Sequence, residues 1–295
     1  MRTFTADDVC IGMPTFNDPD LMVRALLAVI DTVPEGVPVA IADDCSEQGN
    51  AKVAARTFGG RVHVIANDHW HGSPWVRNQL YAWADTTMFG RVNNGTSRPS
   101  VEIVKGKPLA CLIDMDVIVR AGWLEALLDV MNAQPWCWLA TFPKASFEPR
   151  DRWLDEGSRF RRCEEVGWLC AFTRLRALHE CPGWESPTHG TFGMDERLRG
   201  ASHDSELCQR VNHDSSWRVY LADENLIEHQ GYHSGKGVRA AFVRESREES
   251  RGTWGFIMGE RNWWGTLPSS TPPPEWAPAE QGAPKGIDPP EECLS

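Results

Sequence analysis

The chain has 295 residues, of which 41% are hydrophobic and 24% charged, with a formal net charge of −11. This is the composition of an ordinary globular protein, long enough for one large core or two small ones. The acidic balance argues against a protein that holds nucleic acid through a general positive field.

No apolar run reaches the roughly 18–20 residues of a membrane-spanning helix, and the N-terminus lacks a signal-peptide core. The expectation is a cytoplasmic protein with no integral membrane association. Nine cysteines are scattered without a C-x-x-C pair, which reads as reduced core thiols. The arginines at 159–162 and 239–251 are interleaved with glutamates and read as solvated helix faces.

Residues 9–13 form a short apolar run, followed by the turn-rich Pro14-Thr15-Phe16-Asn17-Asp18-Pro19. Leu21, Leu26, Leu27 and Ile30 then recur at helical spacing. A second apolar run, 37–42, ends in Asp43-Asp44-Cys45-Ser46, and a helix is expected over about 50–58. A third strand is expected over 61–66, then the loop 67–74 and a helix carrying Val76, Leu80 and Trp83. Residues 86–107, rich in Gly, Asn, Ser and Thr, read as a surface excursion. A fourth strand covers 109–113, and Trp123, Leu124, Leu127, Leu128 and Met131 mark an amphipathic helix after it.

Strand and helix alternate, which is the signature of a mainly parallel α/β sheet flanked by helices. Ligands of such sheets gather at the carboxyl ends of the strands, where the polar clusters of this chain fall. Beyond residue 136 the pattern is less regular, with strands expected at 136–142, 167–173 and 217–221 and helices at 174–180 and 205–212. From 266 onward eight prolines in thirty residues with little apolar content suggest a disordered tail.

The fourth strand carries the sharpest chemical signal. Ala110-Cys111-Leu112-Ile113 runs into Asp114-Met115-Asp116, two carboxylates spaced i, i+2. If the chain stays extended, both face one side while Met115 turns away. An unpaired carboxylate is too costly to bury in a covered strand, so the pair belongs where the strand emerges, beside a cation. Hard oxygen donors suit magnesium or manganese, and such an ion can hold a diphosphate. The stretch Asp68-His69-Trp70-His71 also attracts a metal reading, but no further ligand set stands beside it in sequence, and it reads as a substrate-side loop.

In this order the segments Pro14-Thr15-Phe16-Asn17, Asp43-Asp44-Cys45-Ser46, Gly72 with Arg77-Asn78, and Asp114-Met115-Asp116 resemble the GT-A glycosyltransferases, in particular the large family 2 group. Gly193-Met194-Asp195-Glu196 with His203-Asp204-Ser205-Glu206-Leu207 is similar to that family's acidic segment, and Leu226-Ile227-Glu228-His229 to its late histidine. The resemblance covers about residues 8–235. It departs at His203, where the family usually has glutamate.

The resemblance implies a GT-A domain over 1–265, with a nucleotide-sugar-binding half at 8–118 and an acceptor-side half at 119–265. It implies transfer of a sugar from a nucleotide diphosphate donor, with UDP as carrier, to an acceptor hydroxyl. Pro14, Thr15, Phe16, Asp44, Arg77, Asp114 and Lys236 would bind the donor. Phe16 would stack on the base, and Asp44 would accept from base or ribose with Arg77 nearby, or else cap the following helix.

Asp116 and His229 would ligate a manganese or magnesium ion, with Asp114 reaching the ribose or the metal shell. Asp204, opening a helix, would be the general base of an inverting displacement. The acceptor stays open among a saccharide, a glycolipid, a protein and a modified DNA base. The alternatives are a retaining enzyme of the same fold and an inactive nucleotide- or glycan-binding adaptor. A sugar-nucleotide pyrophosphorylase is disfavoured, because the loop after the first strand has no glycine or basic residue to cradle a triphosphate.

Overall fold

The computed structural model describes residues 3–85, 106–143, 160–163, 166–181, 193–198 and 203–230. Strands β1 (Val9–Thr15), β2 (Val39–Asp43), β3 (His63–Ala66) and β4 (Leu109–Ile113) alternate with helices α1 (Pro19–Thr32), α2 (Asn50–Phe58) and α3 (Ser73–Ala84). Then follow β5 (Val117–Val119), α4 (Trp123–Ala133), β6 (Cys137–Thr141), β7 (Arg161–Cys163), β8 (Cys170–Arg174) and α5 (Leu175–Glu180). Helix α6 (His203–Asp214), β9 (Arg218–Leu221) and β10 (Ile227–His229) complete the described chain.

Eight strands form one sheet in the order β3-β2-β1-β4-β8-β6-β9-β7, and β5 and β10 form a separate two-stranded ribbon. The run β3-β2-β1-β4 is parallel, whereas β8 is antiparallel to β4 and to β6, and β7 to β9. Strands from both expected halves thus share one sheet. Sequence order reverses direction at β1 and β4, the switch point where the carboxyl ends of an open α/β sheet leave a crevice.

Alternation along β1 explains why both faces are covered. Val9, Ile11 and Met13 join α1 and α4 in one core, and Cys10 joins α3 and α6 in the other. Gly12 lies under α3, where a Cβ would meet Leu112 Cδ2 at 2.8 Å and Leu80 Cβ at 3.1 Å, so only glycine lets the helix sit so close. Among the described residues no helix is long and apolar enough to cross a membrane. Residues 86–105 of the 86–107 excursion and the proline-rich tail lie outside the described residues.

Two boundaries differ from the sequence reading. β1 continues through Pro14 and Thr15, which looked like loop, with Thr15 paired to Asp43. Pairing with β4 ends at Gly12, so Pro14 stands where the strand has its ladder partner on one side, and a missing N–H costs little there. The ribbon strand β5 and the sheet-edge strand β7 are three residues each and were not anticipated.

The second half is braced by a buried ion pair in α6. Arg210 Nε donates to Glu206 Oε1 at 2.7 Å, and the same guanidinium donates to the carbonyls of Cys181 and Gly193. Both side chains are fully buried. Arg210→Met leaves an uncompensated buried carboxylate and should cost about 3–5 kcal/mol of stability. Chemical denaturation should show Glu206→Leu/Arg210→Met recovering more than half of that loss.

Candidate active site

Each parallel strand of the first half ends in a polar loop, and the loops hold one another. Asn17, at φ 57°, donates its N–H to Ser46 Oγ at 2.8 Å and accepts from the Glu47 amide at 3.0 Å. Asp43 accepts from the Ser46 amide at 3.2 Å and from the Ala51 amide at 2.9 Å, so Asp43 caps α2.

Asp44 has another role. Its Oδ1 accepts from the His71 amide at 2.9 Å and its Oδ2 from the Gly72 amide at 2.8 Å. The cap expected as its alternative role therefore belongs to its neighbour. Burial pushes the Asp44 carboxyl up to about 6, against these two amides, which pull it down.

The D-x-D segment is a turn. The Val117 amide donates to the Asp114 carbonyl at 3.0 Å, closing the chain over Met115 and Asp116. The extended geometry expected from the i, i+2 spacing is corrected here, since the strand stops at Ile113. The two carboxylates take different partners. Asp114 forms a close ion pair with Nη2 of the buried Arg77. Asp116 Oδ2 lies 3.0 Å from His229 Nε2. Arg77, expected near Asp44, makes its ion pair with Asp114.

The ribbon brings in His229. β5 and β10 pair antiparallel with His229 opposite Val117, and the Gln230 amide donates to the Asp116 carbonyl at 2.8 Å. The histidine is thus registered one residue from Asp116 although 113 positions separate them in sequence. Phe16, half-buried after β1, donates its amide to Met115 Sδ at 3.3 Å, which joins the first loop to the D-x-D turn. Thr15 is buried, and its carbonyl accepts from the Asp44 amide at 3.0 Å.

Asp204 sits in the first turn of α6, half-buried, with Oδ1 accepting from the Ser205 amide at 2.9 Å. A carboxylate there is stabilised by the helix dipole. Its neighbour His203 places Nε2 3.4 Å from Ser73 Oγ, and Ser73 Oγ accepts from Arg77 Nε at 3.0 Å. Burial pushes His203 down to about 4, so the imidazole is neutral at pH 7.

A continuous chain of contacts therefore runs from Asp204 and His203 through Ser73 and Arg77 to Asp114, whose turn holds Asp116 and His229. Gly72, gripped by Asp44, precedes Ser73. The sequence reading missed Ser73 and His203 as the connection, and nothing in their spacing marks them. Lys236 lies outside the described residues.

Burial pushes Asp114 up to about 6 despite the Arg77 charge, which pulls it down. Arg77 Nη1 is buried and has no hydrogen-bond partner among the described residues. For an octahedral ion with bonds of about 2.1 Å, adjacent donor atoms are about 3 Å apart. The Asp116–His229 separation of 3.0 Å fits such a pair.

The sequence matches no known family profile and no curated protein. Solved structures do match. GalNAc-T7 with UDP, GalNAc and Mn2+ is 11% identical with a TM-score of 0.54, covering 89% of this chain and 52% of its own. The S. aureus TarS 1-349 complex with UDP-GlcNAc is 12% identical with a TM-score of 0.51, covering 83% of this chain and 71% of its own. A third, the Pyrobaculum calidifontis mannosyltransferase PcManGT with GDP-Man and Mn2+, is 14% identical at a TM-score of 0.47, and the chain spans 64% of its length. By its likeness to GalNAc-T7 and TarS, the fold of this chain is the GT-A fold.

Because Asp114 has its folded pKa raised above the ordinary 3.8, the folded state holds the proton more tightly. That group's contribution to stability is fully present below about pH 4 and is lost as pH rises to about 6. Relative to wild type, Asp114→Asn should gain on the order of 2–3 kcal/mol between pH 4 and pH 6.5, on top of a constant loss from the Arg77 pair. Denaturant unfolding across that window measures it.

Proposed function

We propose that the chain is a metal-dependent glycosyltransferase, moving a sugar from a nucleotide diphosphate donor to an acceptor hydroxyl with inversion. The observation that carries this reading is the Asp116–His229 pair at the switch point of a GT-A sheet, 3.0 Å apart and fixed by the β5–β10 ribbon. The solved neighbours GalNAc-T7 and TarS are complexed with UDP and UDP-GlcNAc, which supports a nucleotide-sugar donor here, with UDP the carrier.

Asp116 and His229 would hold the divalent cation. A carboxylate and an imidazole together favour manganese over magnesium. When bound, the cation supplies positive charge that neutralises the departing diphosphate.

The chain's own residues do the rest. Phe16, half-buried beside the D-x-D turn, offers a ring for the base, a contact worth about 1–3 kcal/mol. Pro14 and Thr15 fix the strand end that aims it. Asp44, with both oxygens on backbone amides, holds the 71–72 segment and retains lone pairs for the nucleoside. Arg77 keeps Asp114 oriented toward the ribose and offers Nη1 to a donor oxygen.

Asp204 takes the proton of the acceptor hydroxyl as its oxygen attacks the anomeric carbon, and the bond from that carbon to the diphosphate breaks. Ser73 and His203 tie the base-bearing helix to the donor side, which keeps the reacting groups in one frame.

A thermal-shift series with nucleoside diphosphates and Mn2+ tests the donor half of this reading. UDP with Mn2+ should raise Tm, and Asp116→Ala should remove the metal-dependent part of the rise. An unaltered shift in that variant counts against the placement. Asp204→Asn should bind UDP as wild type does yet lose about 10²-fold or more in sugar transfer, or in hydrolysis of UDP-sugar to water. Transfer near the wild-type rate would reduce Asp204 to a helix-end carboxylate.

A further inference from the structure

The loop after β3 gathers a second set of ligands. Asp68, His69 and His71 each offer a donor atom, and the three atoms lie within 4.8 Å of one another. From sequence this stretch read as a substrate-side loop with too few ligands. All three groups come from one stretch of four residues, which Asp44 and Cys45 hold from the loop after β2.

We infer that Asp68, His69 and His71 form a binding site for a late first-row divalent cation of the zinc type, separate from the Asp116–His229 pair. Two imidazoles with one carboxylate make a donor set suited to zinc, nickel or copper rather than magnesium. His69 Nδ1 already lies 2.6 Å from Asp68 Oδ1, so a cation would enter where a shared proton now sits. The rings of His69 and His71 are 3.9 Å apart at the centroids and tilted by 47°, turned to the same region. His71 stacks on Trp75 at 3.6 Å and 9°, which fixes its ring before any ion arrives.

Access is open, since the Asp68 and His69 side chains are 89% and 49% exposed. Waters would fill the remaining coordination positions, as three protein ligands leave a zinc site incomplete. The site is also mechanically connected. The His71 and Gly72 amides grip Asp44, so an ion bound at 68–71 would hold the segment that clamps this carboxylate.

Titration of ZnCl2 into the full-length Asp116→Ala protein by calorimetry isolates this site from the other pair. One zinc equivalent should bind, and His69→Gln or Asp68→Asn in the same background should weaken it at least about tenfold. Both side chains are exposed, so these substitutions leave the core untouched. Failure of Asp116→Ala to take up zinc would overturn the inference, as would uptake that neither loop substitution alters. Neither result bears on the glycosyltransferase reading, which stands or falls on Asp116 and His229.

Discussion

A ribbon of three residues on each side fixes the surroundings of Asp116. β4 ends at Ile113, the chain turns over Met115, and β5 would leave Asp116 at an open strand end if nothing covered it. β10 supplies the cover. Its antiparallel register with β5 sets His229 opposite Val117 and so beside Asp116, joining the end of the described chain to its middle. This pairing gives the acidic turn an imidazole nitrogen. A slip of one residue would send the imidazole to the other face of the ribbon.

The electrostatics around that pair are those of a buried, closely packed set of charges. Asp44 and Asp114 are both pushed up to about 6 by burial, and each is partly compensated, one by backbone amides and the other by Arg77. Such groups are costly to bury without a return in function or structure. Arg77 is the hub. It pairs with Asp114, donates to Ser73, and has Nη1 left unpartnered among the described residues. An arginine suits this position because its planar fork addresses several acceptors at fixed angles, which a lysine cannot do.

The parallel half of the fold was legible because its signals are local. The apolar run 109–113 coincides with β4, and the 50–58 helix with α2. Polar loops after β1 to β4 fell at carboxyl ends as the α/β alternation implies. The candidate site's residues could be named from sequence for the same reason, but their partners could not. Asp44 and Asp43 are adjacent, and which of them caps α2 depends on where the 71–72 amides come to rest. Arg77 could reach either Asp44 or Asp114 by spacing alone.

The D-x-D turn replaced an expected extended segment because one backbone hydrogen bond, Val117 to Asp114, reverses the chain. A cue for β5 existed in the β-branched run Val117-Ile118-Val119, but three residues are too few for periodicity to register. The Asp68–His71 cluster was undervalued because sequence shows which donors a loop has and not how closely they meet.

Pulsed EPR on the Mn2+-loaded protein with UDP tests the central pairing most directly. One imidazole nitrogen coupling should appear, vanish in His229→Gln and persist in His69→Gln. A coupling that survives loss of His229, or one that disappears with His69 instead, would contradict the account.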